Sequence, residues 1–91
     1  MTNRKQQIIQ YICYTELVYG RINKKLSTDF DRQKIESLLL EILQDTDEDD
    51  YFKKGKNFYI SNVKHNVRIT INSYTFRVIT VDRLDKLKVC L

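Results

Sequence analysis

The side chains best suited to chemistry in this sequence are basic or aromatic, and most of them fall in its second half. Residues 51–91 carry nine Lys or Arg against two Asp or Glu, a net charge of +7, whereas residues 1–50 carry seven against ten, a net charge of −3. A basic half attracts nucleic acid or an acidic protein at long range, or pairs with the acidic half of its own fold. The candidate contact residues are one tyrosine, one threonine and six cations: Tyr59, Arg68, Thr70, Arg77, Arg83, Lys54, Lys56 and Lys64.

Aromatic and basic side chains on one face of a sheet can stack bases and neutralise phosphates. The pattern is not specific, because any exposed antiparallel face commonly carries Arg and Thr. The sequence therefore favours a small non-enzymatic binding module, and it leaves two kinds of ligand open: nucleic acid and an acidic protein surface.

Nucleophilic and metal-dependent catalysis lack the residues they need. His65 is the only histidine, and Cys13 and Cys90 are far apart, so neither a zinc site nor a Cys-His pair has supporting partners. Gly20 and Gly55 are the only glycines, which excludes a glycine-rich phosphate loop. We expect no cofactor, no metal and no catalytic residue.

One enzymatic alternative remains, a small RNA-cleaving toxin that works without histidine. In that hypothesis Arg68, Arg77 and Tyr59, with nearby lysines, stabilise the phosphate charge and move protons.

The run Asp45-Thr46-Asp47-Glu48-Asp49-Asp50 has alternating carboxylates, as a calcium-binding loop does. The match fails further on, because Asp50 occupies the position of the turn glycine and Lys56 that of the bidentate glutamate. We interpret the run as a solvated acidic connector that helps to end the preceding helix.

The elements that position the basic residues are three strands, at 57–61, 66–72 and 75–83, whose alternation of apolar and polar residues predicts an antiparallel meander. The alternation predicts a core face with Val67, Ile69, Ile71, Phe76, Val78 and Thr80, and an outer face with Arg68, Thr70, Asn72, Arg77, Ile79, Val81 and Arg83. Ile60 is expected opposite Val67, which places Tyr59 beside Arg68. Residues 84–91 fit either a fourth strand or a last helical turn.

Two antiparallel helices are predicted before the sheet, at 3–26 and at 32–44, with Asp31 capping the second. The first helix has a second apolar stripe, Ile9, Cys13 and Leu17, which either packs on the sheet or forms the seam of a homodimer. Uncovered Ile79 and Val81 would also favour a dimer. Gly20 continues the stripe, and we favour a close backbone approach there over an early helix end.

The predicted class is therefore α+β, one domain over residues 1–91, with two helices packed on a three-stranded or four-stranded antiparallel meander. No apolar run approaches the roughly 18 residues of a bilayer span, and no signal peptide is recognisable. We expect no membrane association and a location in the reducing cytoplasm.

Three segments together resemble a family of small uncharacterised bacterial proteins: residues 14–26, residues 54–57, and residues 68–73 followed by 77–82. The resemblance covers most of the chain and implies a bacterial or mobile-element origin, without assigning a role to any residue. Small proteins of that origin suggest one more alternative, an inhibitor or adaptor that docks on a larger host protein such as a nuclease or a defence complex.

Overall fold

A computed structural model of the chain describes residues 3–87 and shows an α+β fold. Three helices precede the sheet: α1 (Arg4–Tyr11), α2 (Val18–Leu26) and α3 (Arg32–Gln44). The sheet contains β1 (Tyr51–Lys54), β2 (Asn57–Asn62), β3 (Val67–Asn72) and β4 (Val78–Arg83). The strands are antiparallel neighbours in chain order, and a single helical turn, α4 (Leu84–Leu87), follows them. The predicted α+β class and antiparallel meander are thus confirmed, and residues 88–91 lie outside the described part.

One apolar core lies between the helices and one face of the sheet. Burial alternates along β2, where every second residue points at the helices. Because strand side chains alternate between the two faces, the remaining positions form a second face, here called the outer face. The fully buried core residues come from all three helices and from three strands: Ile8, Ile22, Ile35, Leu39, Ile42, Leu43, Ile60, Ile69, Ile71 and Val81.

The prediction of one helix over 3–26 is wrong, because α1 ends at Tyr11 and α2 begins only at Val18. Cys13 instead forms a parallel bridge with Arg77: its N–H donates to the Phe76 carbonyl at 2.9 Å, and its carbonyl accepts from the Val78 N–H at 2.9 Å. These bonds replace those of a continuous helix in a stretch of aromatic and β-branched residues with modest helix propensity. The N-terminal region therefore consists of two short helices joined by an extended segment.

Helix α3 has the bounds 32–44 that the sequence predicts. The Asp31 carboxylate accepts a hydrogen bond from the Lys34 N–H at 2.8 Å, which satisfies one of the free amides at the helix start. Gly20 departs from our expectation, since a Cβ built there meets no atom within 4 Å. No close backbone approach requires a glycine at this position.

Strand β1 was not predicted, because Tyr51-Phe52-Lys53-Lys54 ends in two lysines and shows no clear alternation. Gly55, with a φ of 62°, and Lys56 form the turn that returns the chain into β2. β1 pairs with β2 along its whole length, with Phe52 opposite Tyr59. The sheet therefore gains its fourth strand before the meander, not after it.

A β-bulge reverses the predicted faces of β4 after Val78. The ladder pairs Thr70 with Thr80 but Ile71 with Val78, which leaves Ile79 as the extra residue. Thr80 thus moves to the outer face, while Val81 points into the core and is completely buried. The predicted apolar strip of Ile79 and Val81 does not exist.

The register between β2 and β3 is also offset from the predicted one by two residues. Ile60 lies opposite Ile69, and Ser61, rather than Tyr59, lies opposite Arg68. A shift of two preserves the faces, so Tyr59 and Arg68 both remain on the outer face, as diagonal neighbours.

Candidate macromolecule-binding surface

The outer face carries two aromatic side chains on neighbouring strands. Phe52 on β1 and Tyr59 on β2 are direct cross-strand partners, and 60 % of Phe52 is exposed to solvent. Lys54 shares this face with Phe52, and Arg68 reaches it from β3. We call the four residues Phe52, Lys54, Tyr59 and Arg68 the outer platform. They line an open depression of about 700 Å³ together with Lys53.

Arg68 is held loosely within the outer platform. Its Nε lies 3.5 Å from the Ser61 hydroxyl, at the long limit of a hydrogen bond. Asp82 is its cross-strand partner on β4, but that carboxylate pairs with Lys25 at 3.0 Å. Among the described residues no carboxylate lies within ion-pair distance of Arg68, so its charge is available to a ligand.

Thr70 lies at the centre of the outer face, between Tyr59 and Thr80. Only 5 % of it is exposed, so this predicted contact residue has little surface to offer. Thr70 therefore lies beside Tyr59 without offering a contact surface of its own.

The remaining predicted cations do not join the outer platform. Arg83 lies opposite Val67 on the helix side of the sheet and donates a hydrogen bond to the Leu26 carbonyl. Lys64, in the turn between β2 and β3, lies 3.5 Å from an Asp45 carboxylate oxygen, which is also 3.3 Å from Nε2 of His65. Lys56 is exposed in the turn after β1. The prediction that Arg68 and Arg83 share one face is wrong, because the bulge lies between them.

Arg77 lies at the opposite end of the hairpin from Arg68. Its carbonyl accepts from the Asn72 N–H at 2.9 Å, and Asn72 is four positions beyond Arg68 along β3. At about 3.3 Å per residue, the two arginines are separated by about 13 Å along the strands.

Arg77 borders a second surface, between α2 and β4. Two adjoining depressions of about 370 and 1000 Å³ meet there and share Leu17 and Arg21. Lys24 and Lys25 line the larger depression, and Arg77 lines the smaller one. We call this surface the α2 groove.

The three residues of the predicted seam occupy different environments. Ile9 on α1 packs partly buried against the core, while Cys13 lies in the extended segment between α1 and α2. Leu17 directly precedes α2 and is 84 % exposed. They do not form one helical stripe, and homodimerisation stays a prediction without that basis.

The family model of the protein of unknown function DUF3781 matches residues 6–82. The chain belongs to this family. The expected resemblance to a family of uncharacterised proteins is thereby confirmed, and the matched span of this DUF3781 protein includes the whole outer platform. No curated protein and no solved structure matches the chain.

A charged and aromatic network joins α2 to α3 in this DUF3781 protein. Arg32 binds the Glu16 carboxylate through both terminal nitrogens, and its guanidinium lies 4.9 Å from the centre of the Tyr19 ring. The Tyr19 hydroxyl donates to Glu36 at 2.7 Å. Burial and this hydrogen bond raise the pKa of Tyr19 to about 12, and the hydrogen bond from Arg32 lowers the pKa of Glu16. The network is fully partnered, which indicates a structural role.

Sequence reasoning missed Phe52, Arg21, Lys24 and Lys25. Phe52 could have been found from the Gly55-Lys56 turn, which makes residues 51–54 a natural partner for 57–60. The α2 cations had no such signal, because their importance depends on α2 lying beside β4.

Over residues 3–87, no helix of the DUF3781 chain is long and apolar enough to cross a lipid bilayer. That part of the chain also contains no group of three His, Cys, Asp or Glu arranged to hold a metal ion.

Proposed function

We propose that this protein is a non-enzymatic module that binds single-stranded nucleic acid on its outer platform. The observation that carries the proposal is the Phe52–Tyr59 cross-strand pair, which places an exposed and a half-buried aromatic side chain next to each other between two cations. Stacking of a base on an aromatic side chain contributes about 1–3 kcal/mol and tolerates any base. A ligand would thus gain from covering Phe52.

The spacing on the sheet suits an extended strand of nucleotides. Adjacent strands are about 4.8 Å apart, so Phe52 and Tyr59 can each accept one of two neighbouring bases. Lys54 lies two positions from Phe52 along β1, and Arg68 lies on the strand beyond Tyr59, so cations flank the aromatic pair on two sides. These charges can neutralise the phosphates next to the stacked bases.

The RNA-cleavage hypothesis has weaker geometric support. It requires Arg68 and Arg77 to act on one phosphate, but they lie at opposite ends of the β3–β4 hairpin. Tyr59 is near Arg68 only. A binding platform needs no such convergence, because each cation meets a different phosphate.

The test is fluorescence anisotropy with 12-nucleotide oligouridylate and oligothymidylate carrying a dye, alongside a duplex of the same length. We expect both single strands to bind more tightly than the duplex, because bases must unstack to cover Phe52. Phe52→Ala should weaken binding by about 1–3 kcal/mol. Tyr74→Ala is the matched control, since Tyr74 is 72 % exposed at the tip of the β3–β4 turn and lies outside the depression.

Equal losses for the two variants would contradict the proposal, as would tighter binding of the duplex. Undetectable binding of every oligonucleotide at low salt would also overturn it. Circular dichroism of each variant separates a loss of binding from a loss of folding.

A further inference from the structure

The α2 groove combines an exposed aliphatic side chain with a cluster of positive charge. Leu17 is 84 % exposed, which is far more than an aliphatic side chain in a core would show, and it lines both depressions of the groove. Arg21 also lines both depressions, and it donates a hydrogen bond to the Ile79 carbonyl at 3.2 Å. The groove therefore has an apolar contact point beside a cation that is already oriented.

The charge of the α2 groove is strongly unbalanced. The ionisable residues that line its two depressions are five cations and one carboxylate: Arg21, Lys24, Lys25, Arg77, Arg83 and Asp82. Lys25 already neutralises Asp82 across 3.0 Å, and Arg83 is bound to the Leu26 carbonyl. Arg21, Lys24 and Arg77 are exposed and have no ion-pair partner among the described residues. A negatively charged ligand would complement this groove.

The lining of the groove distinguishes a peptide from a nucleic acid. None of the described residues that line either depression is aromatic, so the groove offers no surface on which a base can stack. Its apolar contacts are aliphatic instead, from exposed Leu17 and half-buried Ile79. An aliphatic side chain of a partner, set among carboxylates, complements both properties.

We infer that the α2 groove is a docking site for an acidic segment of another protein, and that an aliphatic side chain of that segment packs on Leu17. The site is separate from the outer platform, which uses aromatic side chains on β1 and β2. If the protein acts as an inhibitor or adaptor, the α2 groove is the surface that would dock on the larger protein. Arg21, Lys24 and Arg77 would pair with the partner's carboxylates.

The probe is a fluorescein-labelled 12-residue peptide that places two leucines among alternating Glu and Asp, compared with the same peptide carrying serines at the two leucine positions. The two peptides have equal charge, so only the aliphatic contact differs. We expect the leucine peptide to bind about tenfold more tightly, since burying one leucine side chain is worth at least that factor. Binding should weaken as salt is raised.

Two double variants isolate the site. Leu17→Ser with Lys24→Gln removes an exposed aliphatic group and one cation from the groove. Val63→Ser with Lys64→Gln removes the same two kinds of group from the β2–β3 turn, where Val63 is 85 % exposed. Serine suits position 17, because Leu17 is exposed and makes little contact with the core. The groove variant should bind the leucine peptide at least tenfold more weakly, and the turn variant within twofold of the parent.

Equal effects of the two variants, or equal affinity for the two peptides, would overturn the inference. So would loss of oligouridylate binding in the groove variant, since that result would assign the groove to nucleic acid. Light scattering that shows self-association of the parent, abolished in the groove variant, would assign it to a second copy of this chain. Phe52→Ala must leave peptide binding unchanged, and thermal unfolding verifies that each variant is folded.

Discussion

Phe52 and Tyr59 lie directly opposite each other on the outer face of the sheet, and both point away from the helices. If Tyr59 contributes its ring to a stacked base, Tyr59→Phe should bind oligouridylate as the parent does, while Tyr59→Ala should lose about 1–3 kcal/mol. The dependence of log affinity on log salt should be the same in all three proteins, because no phosphate contact is lost. Anisotropy titrations at several salt concentrations measure both quantities. A Tyr59→Phe protein as weak as Tyr59→Ala would show that the hydroxyl, not the ring, makes the contact.

Arg68 and Arg83 should respond in opposite ways to the same substitution. Arg68→Gln removes one phosphate contact, so the salt slope should flatten by about 0.7 while stability stays within about 0.5 kcal/mol of the parent. Arg83→Gln should keep the slope but lower the free energy of unfolding by about 1–2 kcal/mol, because the guanidinium loses its bond to the Leu26 carbonyl. Salt titrations and urea unfolding of both variants measure this. A flattened salt slope in Arg83→Gln would contradict this prediction, because it would show that Arg83 contacts a phosphate of the nucleic acid.

The outcome for Arg83 illustrates how far sequence reasoning reaches. Alternation correctly indicated which residues of β3 face the core, because that strand is regular. One extra residue at Ile79 moves every later side chain of β4 to the opposite face from the predicted one. No local sequence pattern in Arg77-Val78-Ile79-Thr80 indicates a bulge. The candidate surface was consequently predicted with Arg68 and Tyr59 correctly on one face, but with Arg83 added and Phe52 absent.

The two glycines should respond in opposite ways to alanine. Gly20 lies inside α2 with open space around its missing side chain, so Gly20→Ala should raise the free energy of unfolding by about 0.5–1 kcal/mol. Gly55 has a φ of 62°, which disfavours any residue with a Cβ, so Gly55→Ala should lower that free energy by about 1–2 kcal/mol. Urea unfolding of the two variants measures both changes. Destabilisation by Gly20→Ala would mean that something packs on α2 at that point.

Tyr51 should make the protein sensitive to alkaline pH. Its hydroxyl donates to the Leu43 carbonyl at 2.6 Å inside the core, and burial raises the pKa of Tyr51 above the ordinary value of 10.0. Below pH 10 the hydroxyl is neutral in both states, so its contribution to stability is complete. Above pH 10 the unfolded chain loses this proton while the folded chain keeps it, so the free energy of unfolding falls as pH rises.

Tyr51→Phe tests that origin of the alkaline sensitivity. The variant should lose about 1 kcal/mol at pH 7 with its hydrogen bond, but its stability should decline less steeply between pH 10 and 11. Thermal unfolding across this range measures the decline. Tyr74→Phe, at an exposed turn position, should follow the parent profile. Parallel profiles for Tyr51→Phe and the parent would exclude Tyr51 as the titrating group.

The division of the first predicted helix had a different cause from the bulge. The apolar spacing from Ile8 to Leu26 is compatible with a helix throughout, and α1 and α2 do form at its two ends. Residues 12–17 lie outside both helices because Cys13 finds backbone partners beside Arg77, and a local sequence pattern does not reveal contacts at that sequence distance. Tertiary pairing overrode propensity there.

The bridge at Cys13 also has a consequence for the order in which the backbone opens. Cys13 and Phe76 are 63 residues apart in the chain, so their pairing closes a long loop, and we expect it to form after the β3–β4 hairpin. The amide protons of Cys13 and Val78 then depend on the same opening event. In native-state hydrogen exchange they should share one free energy of opening, although they belong to opposite ends of the sequence, and that free energy should be lower than the value at Ile69 in the centre of the sheet.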